Sequence, residues 1–295
     1  MRLKRKLVPW IYSLPAMVLI GAIIVFPILY TGFISVTNMN LFHWSNYRII
    51  GLENYERALL KVDSGFLKAI GTTIMWTILN MILQIAIAYF IALGLNVKGL
   101  RLSRLYKTLL MFPWAMPAYV SILLWRVGIY NTEFGLLNKI LTTLGIHKVN
   151  YLSENVPAFI SCMVLNLWMA LPFMIMMIDG ALQSVDRSYY ESAKLDGAGF
   201  LAQNIYITIP ALKPILAPAV IMTTFTTFKQ FDIVYLLTMQ KGSLTGSTLQ
   251  TIITYAQQNA FVSNNYGLSS AVSIVIFVFI IVFSLFTNRG IKEEV

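Results

Sequence analysis

Six long stretches of this chain are apolar at nearly every position, and most of the segments between them are short and polar. They lie at roughly residues 10–36, 69–95, 105–128, 156–178, 215–239 and 268–286. A helix needs about 20 such residues to cross a bilayer. The runs are continuous rather than alternating, which favours spanning helices over a β-barrel. Pro15, Pro27, Pro113, Pro117, Pro172 and Pro218 fall inside them. Prolines are tolerated in membrane helices where neighbours re-satisfy the freed backbone groups. The pattern predicts an all-α membrane protein, residues 1–295 forming one transmembrane domain.

The polar segments set the expected orientation. With the N-terminus inside, the inner segments carry Arg2, Lys4, Arg5, Lys6, Lys98, Arg101, Arg104, Lys107, Arg187, Lys194, Lys213, Arg289 and Lys292. The outer loops carry fewer: Arg48, Arg57, Lys61, Lys68, Lys139, Lys148 and Lys241. This bias places both termini in the cytoplasm. The basic start resembles a signal peptide, but its apolar stretch runs on to about Val36 with no small-x-small cleavage site. An uncleaved first span is expected.

One polar segment differs from the rest. "RSYYESAKLDGAGFLAQNIYITIP", residues 187–210, places charges and small residues between the fourth and fifth spans. Ser188 and Glu191 have capping-box spacing, which predicts a helix starting near Tyr189. Gly197 and Gly199 suit positions just past a helix end, where a left-handed conformation is needed. A second short helix is expected over 200–207, stopped before Pro210. A two-turn helix is marginal by itself in water and needs a docking surface. Ser192, Ala193 and Ala198 would let a partner backbone come close. The bland alternative is a capped cytoplasmic loop with no partner.

Composition agrees with a membrane class. The chain is 58% hydrophobic and 12% charged, against roughly 25% charged in soluble domains. Its net charge of +10 comes from clusters beside apolar runs, so nucleic acid is not an expected partner. Cys162 is the only cysteine, which excludes an intrachain disulfide and a cysteine metal cluster. His43 and His147 lie in separate loops. No phosphate loop, H-E-x-x-H or G-x-S-x-G occurs, so no catalytic residue, metal site or cofactor is expected on this chain.

Membrane-embedded polar groups are the candidates for a solute pathway, since such residues usually face a bundle interior or water. Thr223, Thr227 and Gln230 are spaced for one face of the fifth span, and Lys229 and Asp232 for a pair. Asn80 and Gln84 share a face of the second span, and Asn166 and Trp168 lie in the fourth. Tyr235 and Trp168 could cover the apolar face of a ring. Interhelical hydrogen bonding is the competing use of the amides, and outward snorkelling that of Lys229 and Asp232.

The 185–210 segment resembles the "EAA" loop of the permease subunits of binding-protein-dependent ATP-binding-cassette importers. Glu191-Ser192-Ala193, Gly197 and Ile207-Thr208-Ile209-Pro210 keep the family spacing, with Ser192 and Ile209 as conservative departures. "GLENY" (51–55), "FPWAMP" (112–117), "GLLN" (135–138), "FKQFDIVYLLT" (228–238) and "YGLSSAVSIV" (266–275) are similar to phrases of the maltose/oligosaccharide permeases. "MQKGS" (239–243) stands where that group often has Gly-Gly-Pro. The resemblance implies a type I importer permease in a prokaryotic cytoplasmic membrane. It forms half of a sugar pathway beside a second permease, an ATPase dimer that binds ATP and Mg, and an extracytoplasmic binding protein. It also implies a coupling helix carrying Ser188, Tyr190, Glu191, Ser192, Ala193, Asp196, Gly197 and Ala198. A permease for a non-sugar solute, or a secondary transporter, remains as the alternative.

Overall fold

The structure, a computed structural model, describes residues 2–60, 64–97, 99–238 and 249–294. The departure at 239–243 lies outside them. Among the described residues the chain is helical and has no strand, only one isolated bridge between Thr37 and Ile49. The helices are α1 (Arg2–Ile20), α2 (Phe26–Ser35), α3 (Glu53–Leu59), α4 (Ser64–Leu95), α5 (Ser103–Ala115), α6 (Ala118–Leu124) and α7 (Leu136–Thr143). They continue with α8 (Asn155–Ser184), α9 (Arg187–Leu195), α10 (Phe200–Gln203), α11 (Ile209–Phe228), α12 (Asp232–Thr238), α13 (Ile252–Phe261) and α14 (Tyr266–Glu294).

Five helical segments are long and apolar enough to cross a membrane, and a sixth crossing arises if α5 and the helical stretch that follows it count as one span. All six expected spans are therefore present, with three corrections. The third span is broken: its two halves are bent by 91°. Met116, before Pro117, takes an extended conformation (φ −80°, ψ 140°), as the pre-proline clash dictates. The fifth span is also interrupted, because α11 ends at Phe228 and α12 starts at Asp232.

The third correction concerns Pro210, which does not stop a helix. A π-turn at Asn204–Thr208 joins α10 to α11, and Ile209 donates its N–H to the Asn204 carbonyl. The same device precedes Pro27, where a π-turn at Gly21–Val25 joins α1 to α2 and Phe26 donates to Gly21. In both places the proline is the second residue of the next helix. A proline ring lacks an N–H and crowds the preceding turn. Widening that turn by one residue keeps the helix running.

The chain divides into two compact units, Met1–Lys68 with Tyr255–Val282, and Ala69–Thr254 with Phe283–Val295. In the first unit, Asn54 is buried and donates to the Ser35 carbonyl at 2.9 Å and the Thr37 carbonyl at 2.7 Å. Tyr55 shares a 2.7 Å hydrogen bond with Ser35. Gly267 donates its N–H to the Met39 carbonyl, and a Cβ there would run into the Thr37 carbonyl oxygen. The "GLENY" and "YGLSS" phrases thus build one knot of backbone contacts.

In the second unit α4 and α8 share two apolar layers. One holds Trp76, Leu165, Ile122 and Val234. The other holds Ala88, Ala92, Met174, Ile178 and Leu212. Cys162 is fully buried in the first.

Candidate functional site

Three polar features stand out in the second unit. The first is α9 and its surroundings. Its N-cap is Asp186, whose carboxylate accepts the Ser188 N–H at 2.9 Å. That contact holds the Asp186 carboxyl below its ordinary value. The expected Ser188–Glu191 capping box is therefore replaced by an Asx cap two residues earlier, and the helix starts at Arg187.

The other end of α9 behaves as anticipated. Gly197 has φ +79°. Its N–H donates to the Lys194 carbonyl, and that of Ala198 to the Ala193 carbonyl. Together these bonds form a Schellman motif. Gly199 is instead extended and precedes α10. Ser188, Glu191, Ser192, Asp196 and Gly197 are exposed, while Tyr190, Ala193 and Ala198 are half-buried. Tyr189, Leu195, Phe200, Leu201 and Tyr206 add a large exposed apolar area.

Three residues that sequence reasoning missed anchor this segment. Tyr190 lies against Thr208, hydroxyl to hydroxyl at 3.1 Å. Tyr89 on α4 donates to Asn204 Oδ1 at 2.6 Å. Asn204 and Thr208 are both buried in the π-turn. Two polar residues four apart within an apolar run were the available signal.

The second feature is a polar layer at the midpoints of α4 and α8. Asn80, Gln84 and Asn166 are 0%, 1% and 6% exposed. Asn166 Nδ2 donates to Asn80 Oδ1 at 2.8 Å, and Asn80 Nδ2 to the Trp76 carbonyl at 2.8 Å. Gln84 Nε2 donates to the Ala170 carbonyl on α8 at 3.0 Å, while its Oε1 is buried without a hydrogen-bond partner. The structure therefore brings these three predicted residues together between two helices, where interhelical bonds engage Asn80 Oδ1, Asn166 Nδ2 and Gln84 Nε2.

The third feature is the interruption in the fifth span. Thr223 and Thr227 are buried on α11. The Thr227 carbonyl accepts from Trp76 Nε1 at 3.2 Å and from the Gln230 N–H at 3.2 Å. Gln230 lies past the helix end, so the expected single face of Thr223, Thr227 and Gln230 is not formed. Lys229 and Asp232 are both exposed and make no ion pair with each other, because the chain turns between them. Tyr235 stacks on Phe231, ring centroids 4.8 Å apart, and Trp168 packs against Trp125 at 5.4 Å. Arg126, from the helical turn after α6, donates to the Leu236 carbonyl at 2.7 Å, at the C-terminal end of α12.

Five or six helical segments of spanning length, with a capped polar helix exposed between the fourth and fifth, are the setting of these features. The chain belongs to the binding-protein-dependent transport system inner membrane component family, whose pattern matches residues 84–289. It is 30% identical over 296 residues to the galactooligosaccharides transport system permease protein GanP of Bacillus subtilis, covering 97% of this chain and 70% of the relative. It is also 30% identical to the trehalose/maltose transport system permease protein MalF of Thermococcus litoralis, covering 94% and 90%. Its fold matches a bacterial ABC transporter involved in the import of the acidic polysaccharide alginate. The TM-score is 0.82 at 19% identity, over 99% of both chains. The fold is that of the type I importer permeases, and the expected family is borne out.

Proposed function

We propose that this chain is one of two permease subunits of an ATP-driven importer for a sugar or oligosaccharide. An extracytoplasmic binding protein delivers the solute, and the ATPase subunits supply the energy. Both termini and α9 face the cytoplasm of a prokaryotic cell. The observation that carries this reading is α9: a short helix, closed at both ends, whose exposed small and apolar residues lie between two spans. An isolated helix of this length is marginal in water, so this one is held by Tyr190 and completed by an ATPase surface. ATP and Mg bind that partner, and this chain holds no cofactor.

The relatives named for galactooligosaccharide and for trehalose and maltose transport favour a carbohydrate as the solute. So does a fold neighbour solved with a periplasmic protein bound to an alginate pentasaccharide. Asn80, Gln84 and Asn166 supply amides at mid-span; Gln230 lies in the break of the fifth span, Asp232 and Tyr235 follow it on α12, Thr227 precedes it on α11, and Trp168 packs on Trp125. The test is reconstitution of the chain with a second permease, its ATPase and its binding protein in vesicles. ATP-dependent uptake of labelled oligosaccharide is expected. ATPase copurification with uptake of only non-sugar solutes would overturn the carbohydrate assignment. Uptake without any bound ATPase would overturn the importer assignment.

A further inference from the structure

Asp179 is a buried carboxylate, 3% exposed, near the end of α8. Three donors from three chain segments converge on it. Lys107 Nζ on α5 lies 2.6 Å from Oδ2. Asn96 Nδ2, just past the end of α4, donates to Oδ1 at 2.8 Å. Gln183 Nε2, one turn further along α8, donates to Oδ2 at 2.9 Å. Charges are rarely placed in membrane segments without a role, and a buried pair persists only when its remaining lone pairs are satisfied.

The surrounding backbone says what this cluster joins. α5 meets the next part of the third span through the 91° bend at Met116–Pro117, so helix continuity does not hold it in place. α8 runs without a break past Pro172 to Ser184, and only Val185 and Asp186 separate it from α9. Asn96 also donates to the Ala92 carbonyl, which fixes the end of α4 to the same point.

We propose that Asp179 is a positioning residue for transport: with Lys107 it makes α5, α8 and α9 move as one body. This rests on the reading that α9 docks on an ATPase. A push on α9 then reaches the near half of the third span through the ion pair, while Met116–Pro117 serves as the hinge between the halves. A carboxylate with a lysine partner from another helix suits this use, since it resists lateral separation and reforms only in one register.

The test uses the reconstituted full complex and reads solute taken up per ATP hydrolysed. The informative variant is the neutral pair Lys107→Met with Asp179→Asn, which leaves no unpaired buried charge. Complex yield and ATP hydrolysis are expected to persist, while uptake per ATP falls by about tenfold, within the usual range of coupling between sites. Lys107→Arg, which keeps the cation, is expected to retain the wild-type ratio. An unchanged ratio in the neutral pair would overturn the proposal. So would loss of assembly in that variant, which would assign the pair to folding, or a ratio in Lys107→Arg as low as in the neutral pair. If the wild-type chain fails to bind an ATPase at all, the docking reading falls instead.

Discussion

The Tyr190 hydroxyl sits 3.1 Å from the Thr208 hydroxyl, joining α9 to the turn that leads into the fifth span. Thr208 is 2% exposed, so the contact is sheltered from competing water. Tyr190→Phe removes it at a cost of about 0.5–1.5 kcal/mol, the usual net worth of such a bond. Uptake is expected to fall several-fold at normal complex yield. Thr208→Val should act in the same direction. Wild-type uptake in both variants would show that α9 is positioned by its partner alone.

The N-cap gives a sharper contrast. Asp186→Ala should loosen the start of α9 more than Ser188→Ala does, because the larger part of the Ser188 contact to the cap runs through its backbone N–H and only the smaller part through its hydroxyl. Protease sensitivity of the 185–200 segment in inverted vesicles reads this directly. The lowered Asp186 value also fixes the sign of the pH effect. The charged cap is fully present above the ordinary carboxylate range and is lost only as pH falls through the lowered value. No change in segment protection is therefore expected between pH 6 and pH 8, which lies above the ordinary range of about 4.

At Gly197 the cost of a side chain is conformational. A Cβ there would meet nothing within 4 Å, but φ is +79°. A left-handed residue other than glycine costs roughly 1–2 kcal/mol, most for a β-branched one. Gly197→Val is expected to abolish uptake while the protein still inserts. Gly197→Asn, better suited to this conformation, should retain much of it. Equal activity in the two variants would mean that the terminator has no part in coupling.

The apolar runs made the spans and their number legible, and the spacing around Gly197 made the exposed helix legible. Proline effects were less so, because they depend on what the backbone can do locally. Pro117 breaks a span where Met116 goes extended, Pro172 leaves α8 intact, and Pro27 and Pro210 are absorbed by π-turns. Pro27, Pro117 and Pro172 read alike in sequence, and Pro210 reads as a stop. Pairing was misjudged for a related reason: Lys229 and Asp232 pair only if the helix is continuous between them. Asp179 and Lys107 are 72 positions apart, and no local pattern links such residues before the helices are packed.

The mid-span amides can be assigned by comparing single and double variants. Asn166→Leu leaves Asn80 Oδ1 buried without a partner, at a cost of about 1–3 kcal/mol. Replacing both by leucine removes donor and acceptor together and should recover much of that loss. Thermal stability of the purified complex is the measurement. A double variant that regains stability but not uptake would place these amides in the solute pathway. One that regains both would make them structural. A double variant no more stable than Asn166→Leu would show that the hydrogen bond is not what fixes this layer.

Orientation is the expectation on which the coupling reading depends, and it can be measured without the partners. Cys162 is fully buried within an apolar layer, so Cys162→Ala removes one sulfur atom and provides a cysteine-free background at little structural cost. Ser188 is exposed in the first turn of α9, and Ser263 is exposed between α13 and α14. With both termini inside, Ser188→Cys in that background should react with a membrane-impermeant thiol reagent only in inverted vesicles. Ser263→Cys should react only in intact spheroplasts. The charge bias carries this expectation, since basic residues are retained on the cytoplasmic side. The reverse labelling would put α9 outside, where no ATPase can reach it, and would remove the docking role of α9 on which the roles of Tyr190, Gly197 and Asp179 rest.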